Sequence, residues 1–459
     1  MKINKYIYLV LISGILFQGC IAKKYIQPEV IQQNNSYRGS DSNTENFATA
    51  GWEDFYQDPH LKKLIKMALD SNFDVRIAES NIRIAQEYLK QSKAAFYPTL
   101  MAGASGGINT TGSATTGVYS LYASTINSGT QASWELDIWG KLRSAKRSQQ
   151  AQLMQSESYC QAVQTELVAS LASAYYSLLA YDAQLEIYKT SAQTRFESIN
   201  VLEAFKNSAQ SNEIAVNQGK AQYFYAEAQI PLLNIKIQAT ENLISLLLGR
   251  APEPIERGSF ANQDTERGEH PNIMADFTQV GVPGQLLVNR PDVLAAEYNL
   301  ISAFEHWNYT RAAMYPSLVI SGSAGYGSPG TFLAELMGGL TAPIFNNRKL
   351  KTQRNVAYEN QVQAALNFEK CVVNAQREVV DALTAYQFSQ QSIGYQNSQV
   401  KELNNAVENS MVMLKNGYST YLDLLYAEDN ALSASIVLIE IYLQNAKAKI
   451  ELYRALGGK

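Results

Sequence analysis

Apolar residues recur at alternating steps of four and three over two long stretches of the chain. Val163, Leu167, Leu171, Ala174, Leu178, Tyr181, Leu185 and Tyr188 form one row, with Val168, Ala172, Tyr175 and Leu179 in a second row beside it. Leu432, Ile436, Ile439, Leu443, Ala446, Ile450 and Tyr453 repeat the spacing near the C-terminus. Such steps gather side chains on one side of an α-helix, and two adjacent rows predict a helix packed on both flanks. No proline lies between Pro98 and Pro231, or from 344 to 459, so the helices can be long. A continuous helix over 347–414 would reach roughly 100 Å at the standard rise. Its seven-residue register favours helices side by side with slight supercoil. Periodicity alone leaves open an extended bundle with a solid core.

A second period, of two, appears where Leu318, Ile320, Ala324 and Tyr326 alternate with Val319, Ser321, Ser323 and Gly325. That alternation predicts a strand with one apolar and one small or polar face. The stretch 100–108 is its glycine-richer counterpart. Each strand region follows a helix that must close at Tyr97-Pro98 or Tyr315-Pro316, because the residue before proline is pushed out of the helical region.

These parallels extend to a tandem duplication. Asp74 and Asp292, Val75 and Val293, Glu79 and Glu297, Asn81 and Asn299, and Tyr97-Pro98 and Tyr315-Pro316 correspond without a gap. Further along, Lys141-Leu142 answers Lys349-Leu350, Glu166 answers Glu378, and Leu248-Gly249 answers Leu456-Gly457. Each half therefore reads as a helix, two short strands and a long helical hairpin. We divide the chain into 1–19, a signal peptide, and 20–51, a polar linker. A first repeat follows over 52–250 with strands near 98–136, then a connector over 251–284, then a second repeat over 285–459 with strands near 316–345.

At the N-terminus, Lys2 and Lys5 precede an apolar run over 6–17 that is too short to span a bilayer as a mature helix and reads as a secretory signal. It ends Leu16-Phe17-Gln18-Gly19-Cys20, which resembles the lipobox of bacterial lipoproteins apart from Phe17, with Cys20 as the site of lipidation. Removal of 1–19 takes two lysines with it and shifts the formal net charge from -4 to -6. Cys160 and Cys371 remain, each inside a helical pattern, which predicts buried small residues and no bridge.

With 46% hydrophobic and 17% charged residues the chain is neither disordered nor collagen-like. The absence of a basic block excludes nucleic acid as a partner. His60, His270 and His306 are isolated in sequence, so no His-based metal cluster is expected. Gly103-Ala104-Ser105-Gly106-Gly107 matches a nucleophile elbow, and Gly325-x-Gly327-x-x-Gly330 matches a dinucleotide fingerprint. Both lie at strand ends without the required helical context, so the chain reads as no enzyme.

Several motifs now combine. They are Trp52-x-x-Phe55, Asp58-Pro59-x-Leu61, Asn72-x-Asp74-Val75-Arg76, the segment 94–98, and Ser133-Trp134-Glu135-Leu136-Asp137-Ile138-Trp139-Gly140-Lys141-Leu142-Arg143. In the second half they are Gly281-Val282-Pro283, Leu286-Leu287, Arg290-Pro291-Asp292-Val293, the segment 311–317, and Ala342-Pro343-Ile344-Phe345. Asn416-Gly417-Tyr418, Tyr421-Leu422-Asp423 and 452–458 complete the set. In this order the chain resembles the outer-membrane efflux protein family, the TolC-like channels, and within it the lipoprotein branch typified by OprM.

The resemblance implies a mainly α protein with membrane β-structure. Three chains, four strands each, would share a 12-stranded outer-membrane barrel continuous with a hollow periplasmic α-helical barrel. Loops near Gly112 and Gly330 would face outward, and the linker would drape over an equatorial belt that also takes in 202–211. Tyr97, Tyr119, Tyr122, Trp134, Trp139, Tyr315, Tyr326, Phe332 and Phe345 would occupy the membrane interfaces. It implies passive conduction in a tripartite efflux system, with an inner-membrane RND transporter and a periplasmic adaptor as partners besides the homotrimer and outer-membrane lipid. No cofactor is expected beyond the lipid on Cys20. The periplasmic gate falls on Leu422, Asp423, Tyr426 and Asp429, although the OprM branch has aspartate in place of Tyr426 and arginine in place of Asp429. The acidic mature chain predicts a lumen that prefers cations. A type I secretion duct and a lipid-anchored periplasmic coiled-coil or adaptor protein are the alternative readings, and cargo is not written in the chain.

Overall fold

A computed structural model describes residues 23–28, 51–112, 119–208, 212–259, 289–327, 330–342 and 345–458. Along the chain these form helices α1 (Trp52–Phe55), α2 (Pro59–Ser71) and α3 (Phe73–Ala94), strands β1 (Thr99–Gly112) and β2 (Tyr119–Leu136), then helices α4 (Lys141–Asn207) and α5 (Glu213–Leu247). The order recurs as α6 (Pro291–Ala312), β3 (Ser317–Gly327), β4 (Thr331–Thr341), α7 (Lys349–Lys415) and α8 (Tyr421–Ala455). The chain separates into two compact units, Met1–Val30 with Ser80–Glu157 and Ala295–Lys370, and Ile31–Glu79 with Ser158–Leu294 and Cys371–Lys459.

The first unit contains all the described strands. They form one antiparallel sheet in chain order, β1-β2-β3-β4, and β2 pairs with β3 so that the two repeats share it. The register aligns Leu136 with Leu318, Trp134 with Ile320, Ser128 with Tyr326, and Leu318 with Leu340. Side chains alternate across a sheet, so one face gathers Trp134, Leu136, Leu318, Ile320, Tyr326, Phe332, Leu336 and Leu340. The other gathers Gln131, Ser133, Glu135, Ser317, Ser321, Ser323 and Glu335, with Val319, Leu333 and Met337 among them. β4 is exposed along its whole length, with Leu336 79% and Leu340 65% accessible.

Of the glycines in the two chance motifs, Gly325 has a packing role, whereas a Cβ on Gly103, Gly106 or Gly330 would meet open space. Gly103 faces Gly129, and Gly129 faces Gly325, in one row across three strands. A Cβ on Gly129 would stand 2.9 Å from the Ala324 carbonyl oxygen, and one on Gly325 would stand 2.6 Å from that of Ser128. Glycine permits this close approach of β2 to β3.

In the second unit the core is centred on α4. Leu171, Leu178, Leu179, Tyr175 and Tyr176 are buried there, as are Phe55, Tyr56, Leu61 and Ile65 on α1, α2 and the turn between them. The Phe55 ring stacks on that of Tyr453 at 4.2 Å. All of Val168, Ala172, Tyr175 and Leu179 are buried, whereas Val163, Tyr181, Leu185 and Tyr188 in the first row are only half-buried. On α8, Leu432, Ile436, Ile439, Leu443 and Ala446 are likewise half-buried, beside a buried row through Ala431, Ala434, Tyr442 and Ala448. Leu167, Leu171, Ala174 and Leu178 of the first row are buried as well, so a single chain covers both rows in the middle of α4 and leaves the ends of the first half-covered.

Helix ends follow the duplication. α5 and α8 close in Schellman motifs, the Arg250 N–H bonding to the Ser245 carbonyl and the Gly458 N–H to that of Tyr453. Gly249 at φ +66° and Gly457 at φ +84° occupy the left-handed position that the motif requires. α7 ends the same way at Gly417, φ +78°, with the Tyr418 N–H on the Met413 carbonyl. Pro231, which marks the end of the first proline-free stretch, lies inside α5 rather than at a boundary.

Candidate functional site

Two features bear on function, the sheet and the paired ends of the helical hairpins. At the helix-proximal end of the sheet, Trp134 donates its ring N–H to the Phe96 carbonyl at 2.9 Å, and Trp139 donates to that of Pro316 at 2.7 Å. The Trp139 and Tyr315 rings lie 5.3 Å apart, and Tyr97 and Phe345 are 72% and 86% exposed. At the far end the Tyr326 and Phe332 rings are 5.2 Å apart. Leu318 to Tyr326 spans about 27 Å along the strand, so the apolar face is bounded above and below by aromatic rings, the pattern of a membrane strand. Backbone alone is described at Tyr119 and Tyr122.

Among the described residues no helix is long and apolar enough to cross a membrane, and no cluster of His, Cys, Asp and Glu could hold a metal ion. Cys20 lies outside the described residues. Those just after it rest on α6. Asn308 Nδ2 donates to the Lys23 carbonyl at 3.1 Å, the Lys23 ammonium sits 5.6 Å from the Trp307 ring centroid, and Tyr25 meets Phe304 edge-on at 5.8 Å.

The other feature is built where α4 turns into α5 and α7 into α8. Leu202, Val216, Tyr421, Leu424 and Leu425 form a buried cluster, flanked by Ala215, Val407, Met411 and Leu414. Asn212 Oδ1 caps α5 by accepting the Ala215 N–H at 3.0 Å. Leu202, expected to border an equatorial belt, packs in this cluster instead, since it ends the same row of four-and-three steps that runs along α4.

Of the four predicted gate residues, Leu422 and Tyr426 are 44% and 70% exposed and stand one turn apart on α8. Asp423 is committed locally. Its Oδ2 accepts the Thr420 N–H and hydroxyl, each at 2.8 Å, and these bonds hold its carboxyl below the usual carboxylate range. Asp429 turns toward α4 and accepts from Arg195 Nη2 at 2.5 Å. Arg195 is 2% exposed and also donates to Gln222 on α5 at 2.7 Å and to Ser191 at 3.1 Å. One guanidinium therefore ties α4, α5 and α8 together.

Arg195 and Glu428 are functional positions that the sequence pattern also signals. Continuing the α4 row from Tyr188 by four and three reaches Ala192, Arg195, Ile199 and Leu202. On α8 the steps Leu424, Glu428, Ala431 do the same. A charge at a seam position marks a site, because burying it requires a partner.

The second unit holds another such centre. Arg290, 3% exposed, donates to both oxygens of Asp292 at 3.0 and 2.6 Å, to Glu378 at 2.9 Å and to the Ala455 carbonyl at 3.0 Å. Burial works against its charge, but Asp292 and Glu378 outweigh that and hold it more firmly protonated than a free guanidinium. Asn72 is its counterpart in the first repeat, donating to the Leu247 carbonyl at 2.9 Å.

The chain matches the family described as outer membrane efflux protein over residues 64–250 and 282–458. It is 28% identical over 457 residues to the cation efflux system protein CusC of Escherichia coli O6:H1, covering 96% of each chain. It is 26% identical to the solvent efflux pump outer membrane protein SrpC of Pseudomonas putida, covering 99% of this chain and 98% of that one. The open-state structure of the Neisseria gonorrhoeae MtrE outer membrane channel superposes with a TM-score of 0.83 and 27% identity, over 96% of this chain and 98% of that one.

Proposed function

The chain belongs to the outer membrane efflux protein family, and from that footing we propose that it is the exit duct of a tripartite efflux system. It passively conducts small toxic molecules delivered by a periplasmic adaptor and an inner-membrane RND transporter. The observation that carries the reading is the sheet, with one apolar exposed face, a more polar opposite face, and β1 and β4 unpaired on one edge each. A bilayer tolerates no open edge. Copies of the chain close it, the β4 edge of one meeting the β1 edge of the next in the antiparallel sense the sheet already has. Three chains of four strands give twelve, apolar outside and polar toward the lumen. The long helices enclose the periplasmic duct, and their half-buried rows supply the faces that meet neighbouring copies.

The periplasmic gate is formed by Leu422 and Tyr426, which remain free on the surface of α8. Asp423 supports it by fixing the start of that helix, and Asp429 by holding the helix to Arg195. The lipid on Cys20 anchors the N-terminus.

Purified protein examined by cross-linking and in planar bilayers tests this reading. Cross-links that stop at three copies, together with steady ion-conducting channels, are expected. A monomer with no conductance in lipid overturns it.

A further inference from the structure

Glu428 is 8% exposed, and neither of its carboxylate oxygens reaches a hydrogen-bond partner. It lines an open groove of about 320 Å³ bounded by Glu186, Thr190 and Arg195 of α4, Asn404 and Val407 of α7, and Leu432 of α8. A buried carboxyl without a partner is stable as the neutral acid and costly as the anion. Its surroundings set up a competition. Arg195 offers a guanidinium to α8, and two successive carboxyls of that helix, Glu428 and Asp429, are within its electrostatic reach, but only Asp429 bonds to it.

We propose that Glu428 makes the docking of α8 onto α4 proton-dependent. While it carries a proton, Arg195 belongs to Asp429 and the two helices stay locked. When it loses the proton, an anion with no hydrogen-bond partner is left buried, a cost that the attraction of Arg195 only partly offsets, and the start of α8 loosens to hydrate it. The groups that face it are few. α4 contributes Arg195, Glu186 and the nearby hydroxyl of Ser198. α8 contributes Asp429 and the Tyr421 hydroxyl, while the groove wall from α7 brings Asn404 and Val407 and no charge. Burial raises the carboxyl above its ordinary 4.5 and Asp429 adds to the rise, with Arg195 and Ser198 opposing.

The sign follows from linkage. A carboxyl that holds its proton more tightly in the packed state than in water favours that state at low pH. The advantage is lost as pH rises from 4.5 through the raised value. The inference goes beyond conduction itself and bears on the gate only through the position of α8.

Thermal unfolding of the full-length protein in detergent, wild type against Glu428→Gln, is measured from pH 5 to 8, with single-channel open probability followed over the same range. The wild-type midpoint is expected to fall relative to that of Glu428→Gln as pH rises. Its open probability is expected to increase, while the variant keeps its low-pH behaviour throughout. Midpoints that stay parallel overturn the titration. A titrating midpoint with an open probability that ignores pH in both proteins overturns the link to the channel. Neither result touches the efflux reading, which trimer formation and conductance decide.

Discussion

Gly457 sits so close to Asn289 that a Cβ added to it would stand 2.6 Å from the Asn289 carbonyl oxygen, and Gly249 stands in the same relation to Ser71, again at 2.6 Å. The two contacts are equivalent positions of the duplication, where the end of a hairpin helix is laid against the turn that opens the repeat. Both glycines also need φ > 0. Gly457→Ala and Gly249→Ala therefore each meet a backbone oxygen and a strained backbone together. A loss of about 1–3 kcal/mol is expected for each, similar in size because the geometry is repeated. Thermal unfolding of the two single variants checks it, and an unchanged midpoint in either contradicts the shared role.

Arg195 leads to a second prediction, since it is buried and Asp429 is its only acidic hydrogen-bond partner among the described residues. Asp429→Asn removes the compensating charge while keeping the shape. About 1.5–3 kcal/mol is the usual contribution of a hydrogen bond to a charged group, and the partial exposure of Asp429 favours the lower end. Open probability in planar bilayers should rise as α8 is released from α4. Arg195→Asp combined with Asp429→Arg should recover part of the loss. A double variant no better than the sum of the singles means the pair is not acting as a latch.

Much of this was legible in the sequence, and the reasons are physical. Tyr97-Pro98 and Tyr315-Pro316 end helices by a local steric rule, so strand starts at Thr99 and Ser317 could be read directly. The alternation over 318–326 fixed which residues share a face, because a period of two needs no tertiary information. Arg195 was harder. Its row could be continued, but nothing local says that Asp429, 234 positions away, comes to meet it. Asp423 shows the opposite case, a local role that could have been read. Its acidity suggested a gate ring, while Thr420 three residues earlier already offered a capping box, a local reading that geometry favours.

The two faces of the sheet predict opposite tolerance. Leu336 is 79% exposed on the apolar face, and Leu336→Arg would set a charge against lipid at a cost of about 2–4 kcal/mol near mid-bilayer. Ser321, on the opposite face, is paired to Met337, and Ser321→Arg is expected to assemble normally. Recovery of detergent-resistant trimers from outer membranes should fall sharply for the first and not for the second. Reversal potentials should then show Ser321→Arg shifted toward anions relative to the wild type. Equal assembly of both variants would mean the faces are assigned the wrong way round.

Leu422 and Tyr426 carry the last prediction, because they are predicted gate residues left exposed on α8. Both project from the first two turns of α8 beside the buried anchor of Tyr421, Leu424 and Leu425. Truncating them leaves that anchor intact, so folding should be retained and only the constriction widened. Tyr426→Ala and Leu422→Ala are each expected to raise open probability in planar bilayers without moving the thermal midpoint. Asp423→Ala is expected to act differently. It removes the cap that fixes Thr420, so any gain in opening should come with earlier fraying of α8, seen as faster amide exchange over 421–426. Should Tyr426→Ala and Leu422→Ala leave open probability unchanged while Asp423→Ala raises it, the constriction would have to be sought away from this helix face.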